Sequence, residues 1–373
     1  MSGTVTKRPT HGGNVHQASR ILRKPLNAIV DFSASVNPLG PSKRVMRALA
    51  DMLPVIRHYP DPECSALRYA LGVRFNLPAD WFVVGNGSSE LIDTVPRALS
   101  IRSAAIAGPA FSEYAAAVEK HGGRSTLLSA KRIEQYRPSC GEIVRWIRSR
   151  KLQRRGVDAV FVCQPNSLTG QIWEQEELET ILRAAHRARA WTILDETFAE
   201  YCSAVSIVPR LQHFPLVVVL RSFTKFYAIP GLRIGYSISC PSTAERIRRL
   251  QPPWSVNVLA QHAAIVSMQD RGYMDRSLAF MLKERPRFME SLASIGGLTV
   301  FDSHANFVMI ELPPGWRADA VTMMLGRKGI LIRDCSQTPG LNGRTIRLAV
   351  RTSLENDRLV RLLRKTLRIH TNA

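Results

Sequence analysis

The sequence contains no apolar stretch approaching the roughly 18 residues that cross a bilayer, which argues against an integral membrane helix. Its opening, Met1–Thr10, is polar and basic and has no apolar core, so it reads as no secretory leader. Cysteine is sparse. The six cysteines (Cys64, Cys140, Cys163, Cys202, Cys240 and Cys335) form no CxxC pair. They read as reduced thiols of a cytoplasmic protein, not as a disulfide or zinc framework. The nine histidines are equally dispersed, and no metal site is expected from their spacing. Acidic residues are few, 30 against 51 Lys and Arg, giving a net charge of +21. The bases are spread along the chain, and the densest runs, Arg148–Arg155 and Arg246–Arg249, read as exposed faces or ends of helices. They carry no interleaved aromatics and no zinc-finger or helix-turn-helix pattern. A specific nucleic-acid partner is therefore not expected, while a basic field would draw in small anionic substrates.

What is present points to a two-part α/β chain. A length of 373 residues with 45% hydrophobic side chains suits a large and a small domain around one cleft. From about residue 80 to 240, apolar runs alternate with amphipathic stretches. Strands are predicted at Phe82–Val84, Ala104–Ala107, Ala159–Cys163, Thr192–Leu194, Val217–Leu220 and Ile234–Ile238. Helices are predicted between them, among them Glu113–His121, which stops at Gly122-Gly123, and Glu174–Arg189, acidic at its start and basic at its end. This alternation implies a mostly parallel sheet with helices on both faces. After Pro252-Pro253 the pattern becomes α+β. Helices are predicted at Val256–Gln269, Tyr273–Ser294 and Ala318–Arg327, with a last one from Glu355. Strands are predicted at Leu298–Phe301, Asn306–Glu311, Ile330–Arg333 and Thr345–Val350. The expected division is a large domain over 45–250 and a small one made of 1–44 with 251–373.

Open α/β sheets bind ligands at the carboxyl ends of their strands, so the loops there carry the chemistry. After Val84 comes Gly85-Asn86-Gly87-Ser88-Ser89-Glu90, small and hydroxylated residues at a helix start that could cradle an anion. After Cys163 comes Gln164-Pro165-Asn166, after Leu194 comes Asp195, and after Leu220 comes Arg221-Ser222-Phe223-Thr224-Lys225. Asn166, Asp195 and Lys225 are spaced about thirty residues apart, the length of one βα step, so all three can meet on one rim. A lysine for a Schiff base, an acid for a pyridine nitrogen and a phosphate cradle are the parts that pyridoxal phosphate (PLP) requires.

Ser222-Phe223-Thr224-Lys225 followed by Gly231-Leu232-Arg233-Ile234-Gly235 resembles the SxxK…GLRxG signature of the fold-type I PLP-dependent enzymes, and the likeness extends from about His11 to the C-terminal helix. The resemblance implies a homodimer in which Lys225 carries the cofactor, Asp195 holds its pyridinium nitrogen and Asn166 bonds its ring oxygen. It further implies that Phe111 stacks on the ring, and that Ser88, Ser222 and Arg233 hold the phosphate with help from Gly87 and Ser89. Tyr59 resembles the tyrosine that reaches that phosphate from the partner subunit. Ser167-Leu168 departs from the Asn-Pro often found there.

Within that group the sequence is similar to two families, the threonine-phosphate decarboxylases of cobalamin biosynthesis and the histidinol-phosphate aminotransferases. His11-Gly12-Gly13-Asn14-Val15, the segment Asp31–Pro41, Phe198 in place of a common tyrosine, and Ile330–Cys335 with Pro339-Gly340-Leu341 resemble the decarboxylases. The implied reaction is decarboxylation of O-phospho-L-threonine, a small phosphorylated amino acid; the alternatives are an aminotransferase and, more distantly, a non-enzymatic regulator built on the same fold. Arg333 and Arg347, on adjacent predicted strands, suit a substrate with two anionic groups, and either could meet carboxylate or phosphate. His11, Gly12, Asn37 and Asn166 are further candidates for substrate contact, with Arg351 behind them.

Overall fold

The computed structural model describes residues 12–151 and 157–368. The first strand, β1 (Val30–Asp31), precedes the main sheet, whose strands are β2 (Phe82–Gly85), β3 (Ser103–Gly108), β4 (Arg124–Ser129), β5 (Ala159–Cys163), β6 (Trp191–Asp195), β7 (Val217–Ser222) and β8 (Gly235–Ile238). Their order across the sheet is β2-β8-β7-β6-β5-β3-β4. Only β8 runs antiparallel to its neighbours β2 and β7; the other pairs are parallel. The inner strands are buried along their whole length, which is why they read as unbroken apolar runs. Successive residues nevertheless serve two cores. Val160 and Val162 of β5 pack with Trp173, Leu178 and Ile181 on one face. Ala159, Phe161 and Cys163 pack with Leu91, Ile92 and Tyr114 on the other. Each such aliphatic or aromatic side chain contributes about 1.5–3 kcal/mol on burial.

The strand β4 is absent from the sequence reading. It lies at the sheet edge, alternates between exposed and half-buried positions and begins with Arg124, so it lacks the apolar density of its neighbours.

The second sheet comprises β9 (Thr299–Val300), β10 (Phe307–Glu311), β12 (Arg333–Asp334) and β13 (Thr345–Ala349), in the order β12-β13-β10-β9 and antiparallel throughout. Between β10 and β12, β11 (Ile330–Leu331) pairs in parallel with β1. The single strand predicted at Ile330–Arg333 is therefore two. The chain breaks at Ile332, so Leu331 pairs with Asp31 while Arg333 pairs with Arg347. This switch brings the N-terminal segment and the second sheet to the same place. No helix among the described residues is long and apolar enough to cross a membrane.

Candidate active site

Register fixes the rim. Cys163 of β5 lies beside Asp195 of β6, and Asp195 lies beside Leu220 of β7, so the loops after all three strands leave the sheet together. They open onto a cleft of about 300 Å³. Lys225, Asp195, Ser222, Arg233, Ser88, Ser89 and Phe111 line it, and so do Gly12, Arg333 and Arg347 from outside the main sheet.

Lys225 is partly buried. Burial pushes its ammonium down to about 8, and the positive charges of Arg347 and Arg233 act in the same direction. A lysine so placed is neutral in roughly one molecule in ten at pH 7, far more often than a free lysine, and can act as a nucleophile. Its loop is clamped from behind: Asn37 donates its backbone N–H to the Lys225 carbonyl at 2.9 Å and its amide to the Phe226 carbonyl at 2.9 Å.

Asp195 is buried, and burial pushes its carboxyl up. Hydrogen bonds oppose this. The Thr197 N–H donates to Oδ1 at 2.8 Å and the Tyr114 hydroxyl to Oδ2 at 2.6 Å. Tyr114 stacks on Phe161 at 5.4 Å and meets the edge of Phe111 at 5.8 Å.

The opposite wall begins where β2 turns into the helix Ser88–Ala98. Its N-cap, Gly87, has φ +78°, and a Cβ there would stand 2.5 Å from Arg233 Nη2. Only glycine allows the guanidinium to lie against the helix start. Ser88, Ser89 and Arg233 line the cleft beside this helix start, donors of the kind that can cradle an anion. Ser222 Oγ lies 2.8 Å from Thr224 Oγ1 at its side.

Arg333 and Arg347 are cross-strand partners and share a face. Arg347 rests on the Phe307 ring at 4.7 Å and donates to the carbonyls of Ser167 and Ser33. Its Nε is buried without a hydrogen-bond partner among the described residues. Burial pushes it down to about 10, and Arg333 adds to this. Two like charges at one end of a cleft favour anionic ligands. Gly12 is held close by: the Gly13 N–H donates to Ser33 Oγ at 2.8 Å, and that hydroxyl donates to Asp31 Oδ1 at 2.6 Å.

Among the described residues, Asn37, Asn166, Tyr59 and Arg351 were expected at the site but do not line the cleft. His11 lies outside the described residues. Asn37 does not line the cleft; its buried amide also reaches Tyr273 and Ser277, so it holds the Lys225 loop where a substrate donor was expected. Asn166 sits behind the lining, donating to the Pro109 carbonyl at 2.9 Å and accepting from Leu168 and Thr169 N–H, while Ser167 and Leu168 of the same turn face the cleft. Tyr59 is 81% exposed and packs on Trp254 at 4.9 Å, away from its own chain's cleft. Arg351 is paired with Glu355 at 3.0 Å. The sequence reading missed Tyr114, Ser33 and Thr197. Tyr114 was findable, since it follows Phe111 by three residues, one helical turn. No group of His, Cys, Asp and Glu among the described residues could hold a metal ion.

Comparison with known proteins gives the family. The Aminotransferase class I and II family matches residues 27–364, and the chain belongs to that family. Its fold is that of the fold-type I PLP-dependent enzymes. Among individual proteins, the threonine-phosphate decarboxylase of Salmonella typhimurium is 36% identical over 360 residues, 96% of each chain. The crystal structure of L-threonine-O-3-phosphate decarboxylase from Porphyromonas gingivalis is similar with a TM-score of 0.80 and 25% identity, covering 91% of this chain and 100% of that one. A histidinol-phosphate aminotransferase from Sinorhizobium meliloti, solved in complex with pyridoxal-5'-phosphate, shares the fold with a TM-score of 0.84 at 23% identity, over 99% of this chain and 98% of that one.

Proposed function

We propose that this protein is a PLP-dependent carboxy-lyase that converts O-phospho-L-threonine to (R)-1-aminopropan-2-yl phosphate and carbon dioxide, a step of cobalamin biosynthesis. The observation that carries the reading is the guanidinium pair Arg333–Arg347 in the same cleft as Lys225, a site for a substrate with two anions beside an amine nucleophile. Near-full-length similarity to a threonine-phosphate decarboxylase favours loss of the carboxylate over amino transfer.

The residues present fit PLP. The Gly87–Arg233 cradle, which a Cβ would fill, suits its phosphate, and a buried carboxylate with two donors suits a protonated ring nitrogen. The lowered Lys225 amine suits its aldehyde. Phe111 would cover the ring, and Asn166 would act on the ring oxygen through the turn it organises. When bound, PLP supplies an electron sink for the pair left behind as the Cα–carboxylate bond breaks.

The protein's task is to choose that bond. Arg333 and Arg347, with Gly12, would grip the two anionic ends and so fix rotation about Cα. Asp195 would hold a proton on the ring nitrogen. Lys225, as a free amine, would return a proton to Cα. Phe198, buried against Phe307 at 5.1 Å, lines the cleft without adding a polar group.

Three further elements belong to this reading. Tyr59 would complete the phosphate site of a second copy in a homodimer, for which exposed Met46, Leu53, Ile56, Tyr69 and Val73 offer apolar surface. Residues 45–250 would form the large domain and 1–44 with 251–373 the small one, consistent with the pairing of β1 with β11. The cysteines, free as described, suit a reducing cytoplasm.

The test is to mix PLP-loaded protein with O-phospho-L-threonine and no keto acid. Equal release of carbon dioxide and aminopropanol phosphate is expected. No release, with amino transfer once histidinol phosphate and 2-oxoglutarate are supplied, would overturn the assignment.

A further inference from the structure

We propose that Tyr114 is a positioning residue that keeps the Asp195 carboxylate charged for its work on the cofactor's ring nitrogen. Asp195 ends β6 with its carboxyl buried at the floor of the cleft, and an uncharged carboxyl there could not hold a pyridinium. Both of its oxygens accept a hydrogen bond, and the Thr197 side chain also favours its charged form. Oδ1 takes the Thr197 N–H at 2.8 Å, a bond set by the backbone, and Oδ2 takes the Tyr114 hydroxyl at 2.6 Å. The second bond has the short O···O distance of a charge-assisted contact.

The phenol is built to donate only. It is fully enclosed, and burial and the adjacent carboxylate push its proton loss well above the ordinary range. It cannot swing away, because its ring is stacked on Phe161 and wedged against Phe111. The helix Ser112–Lys120 thus supplies Tyr114, while Phe111, its N-cap, presents the ring proposed to cover the cofactor.

The other groups facing Asp195 do not replace it. The Cys163 thiol, beside it on β5, is buried and pushed up, so it stays neutral. The Glu196 carboxylate adds negative charge and opposes ionisation of Asp195. It is itself committed to Arg221 at 2.6 Å and to Ser206 and the Ile207 N–H. Lys225 is the cation that couples to Asp195 across the cleft, and it becomes committed once it carries the cofactor.

The consequence is a pH signature. Without the Tyr114 hydroxyl, Asp195 takes up its proton at higher pH. PLP affinity then falls on the acid side and recovers as pH rises. The proposal rests on PLP binding and not on decarboxylation. Cofactor-free parent and Tyr114→Phe proteins are titrated with PLP from pH 6 to 8.5. The expected ratio of variant to parent Kd is near one at pH 8.5 and rises steadily as the pH falls toward 6, with about tenfold as its ceiling for a shift of one pH unit. With 15N-labelled PLP, the ring nitrogen of the loaded variant should move toward the unprotonated resonance. A ratio that is flat across pH, with tight parent binding and an unmoved resonance, reduces Tyr114 to packing and overturns the proposal. A parent that binds no PLP at any pH overturns the cofactor reading with it. Should Tyr114→Phe fail to fold, 3-fluorotyrosine at position 114 keeps the shape and gives a stronger donor. It should bind PLP at pH 6 at least as tightly as the parent, and weaker binding there overturns the proposal.

Discussion

At one end of the cleft, Asp195 and Ser222 end β6 and β7 of a single sheet, and Lys225 follows β7 by three residues. At the other, Arg333 and Arg347 come from short strands of a second sheet, and Gly12 comes from near the start of the chain, held through Ser33 and Asp31. The first end is rigid by construction, because its side chains leave fully buried strands. The second depends on contacts between segments roughly three hundred residues apart, such as Arg347 with the Ser33 carbonyl. A scaffold of this kind can keep the cofactor chemistry fixed while the substrate end varies.

The comparison predicts that damage at the first end removes chemistry and damage at the second end weakens binding. The largest effect belongs to Lys225→Ala, which should lower kcat by at least about 10⁴-fold with the far-ultraviolet spectrum unchanged. Residual turnover above that level would mean another group does its work. Next comes Asp195→Asn, with an expected loss in kcat of about 10²–10³-fold, the scale of one charge-stabilising group. Steady-state kinetics with PLP in excess checks this; near-normal kcat would remove Asp195 from the mechanism.

The two ends also differ in how far the sequence discloses them. Each core strand from β5 to β8 appears in the sequence as an apolar run because both faces are buried, and the spacing of Asn166, Asp195 and Lys225 follows from the βα repeat. The edge strand β4 is hidden because half of it faces solvent. At the substrate end the pairing of Arg333 with Arg347 was legible from strand order, but the break at Ile332 was not, since a switch of partner leaves no mark on hydropathy. Asn37 was expected at the substrate because its segment, Asp31–Pro41, resembles that of the decarboxylases. Its partners Phe226, Tyr273 and Ser277 lie about 190 to 240 positions on, where only the fold could bring them.

A third prediction separates binding from chemistry. Arg347→Met should raise the KM for O-phospho-L-threonine about 10- to 100-fold while kcat changes much less. Its guanidinium donates to the Ser167 and Ser33 carbonyls but pairs with no carboxylate among the described residues, so thermal stability should fall by about 1–3 kcal/mol, the scale of those lost bonds. A collapse of kcat at unchanged KM would instead make Arg347 part of the chemistry and dissolve the division between the ends.

The smallest effect tests where the two ends meet. Lys225 is pushed down to about 8 by burial first, then by Arg347 from one end and Arg233 from the other, with Asp31 and Asp195 opposing. In the cofactor-free protein the folded amine therefore gives up its proton more readily than the unfolded one, whose ordinary value is 10.5. Between about pH 8 and that value the unfolded chain binds more protons, so stability rises with pH; below the window the full cost of a charged, partly buried amine applies. Urea unfolding at pH 7 and pH 9.5 should show this rise in the parent and lose it in Lys225→Met. Arg347→Met should retain the rise but reduce it, because only one of the two flanking charges is gone. If Arg347→Met and the parent have the same pH dependence, the substrate end does not act on the lysine through charge, and the two ends of the cleft are electrostatically independent.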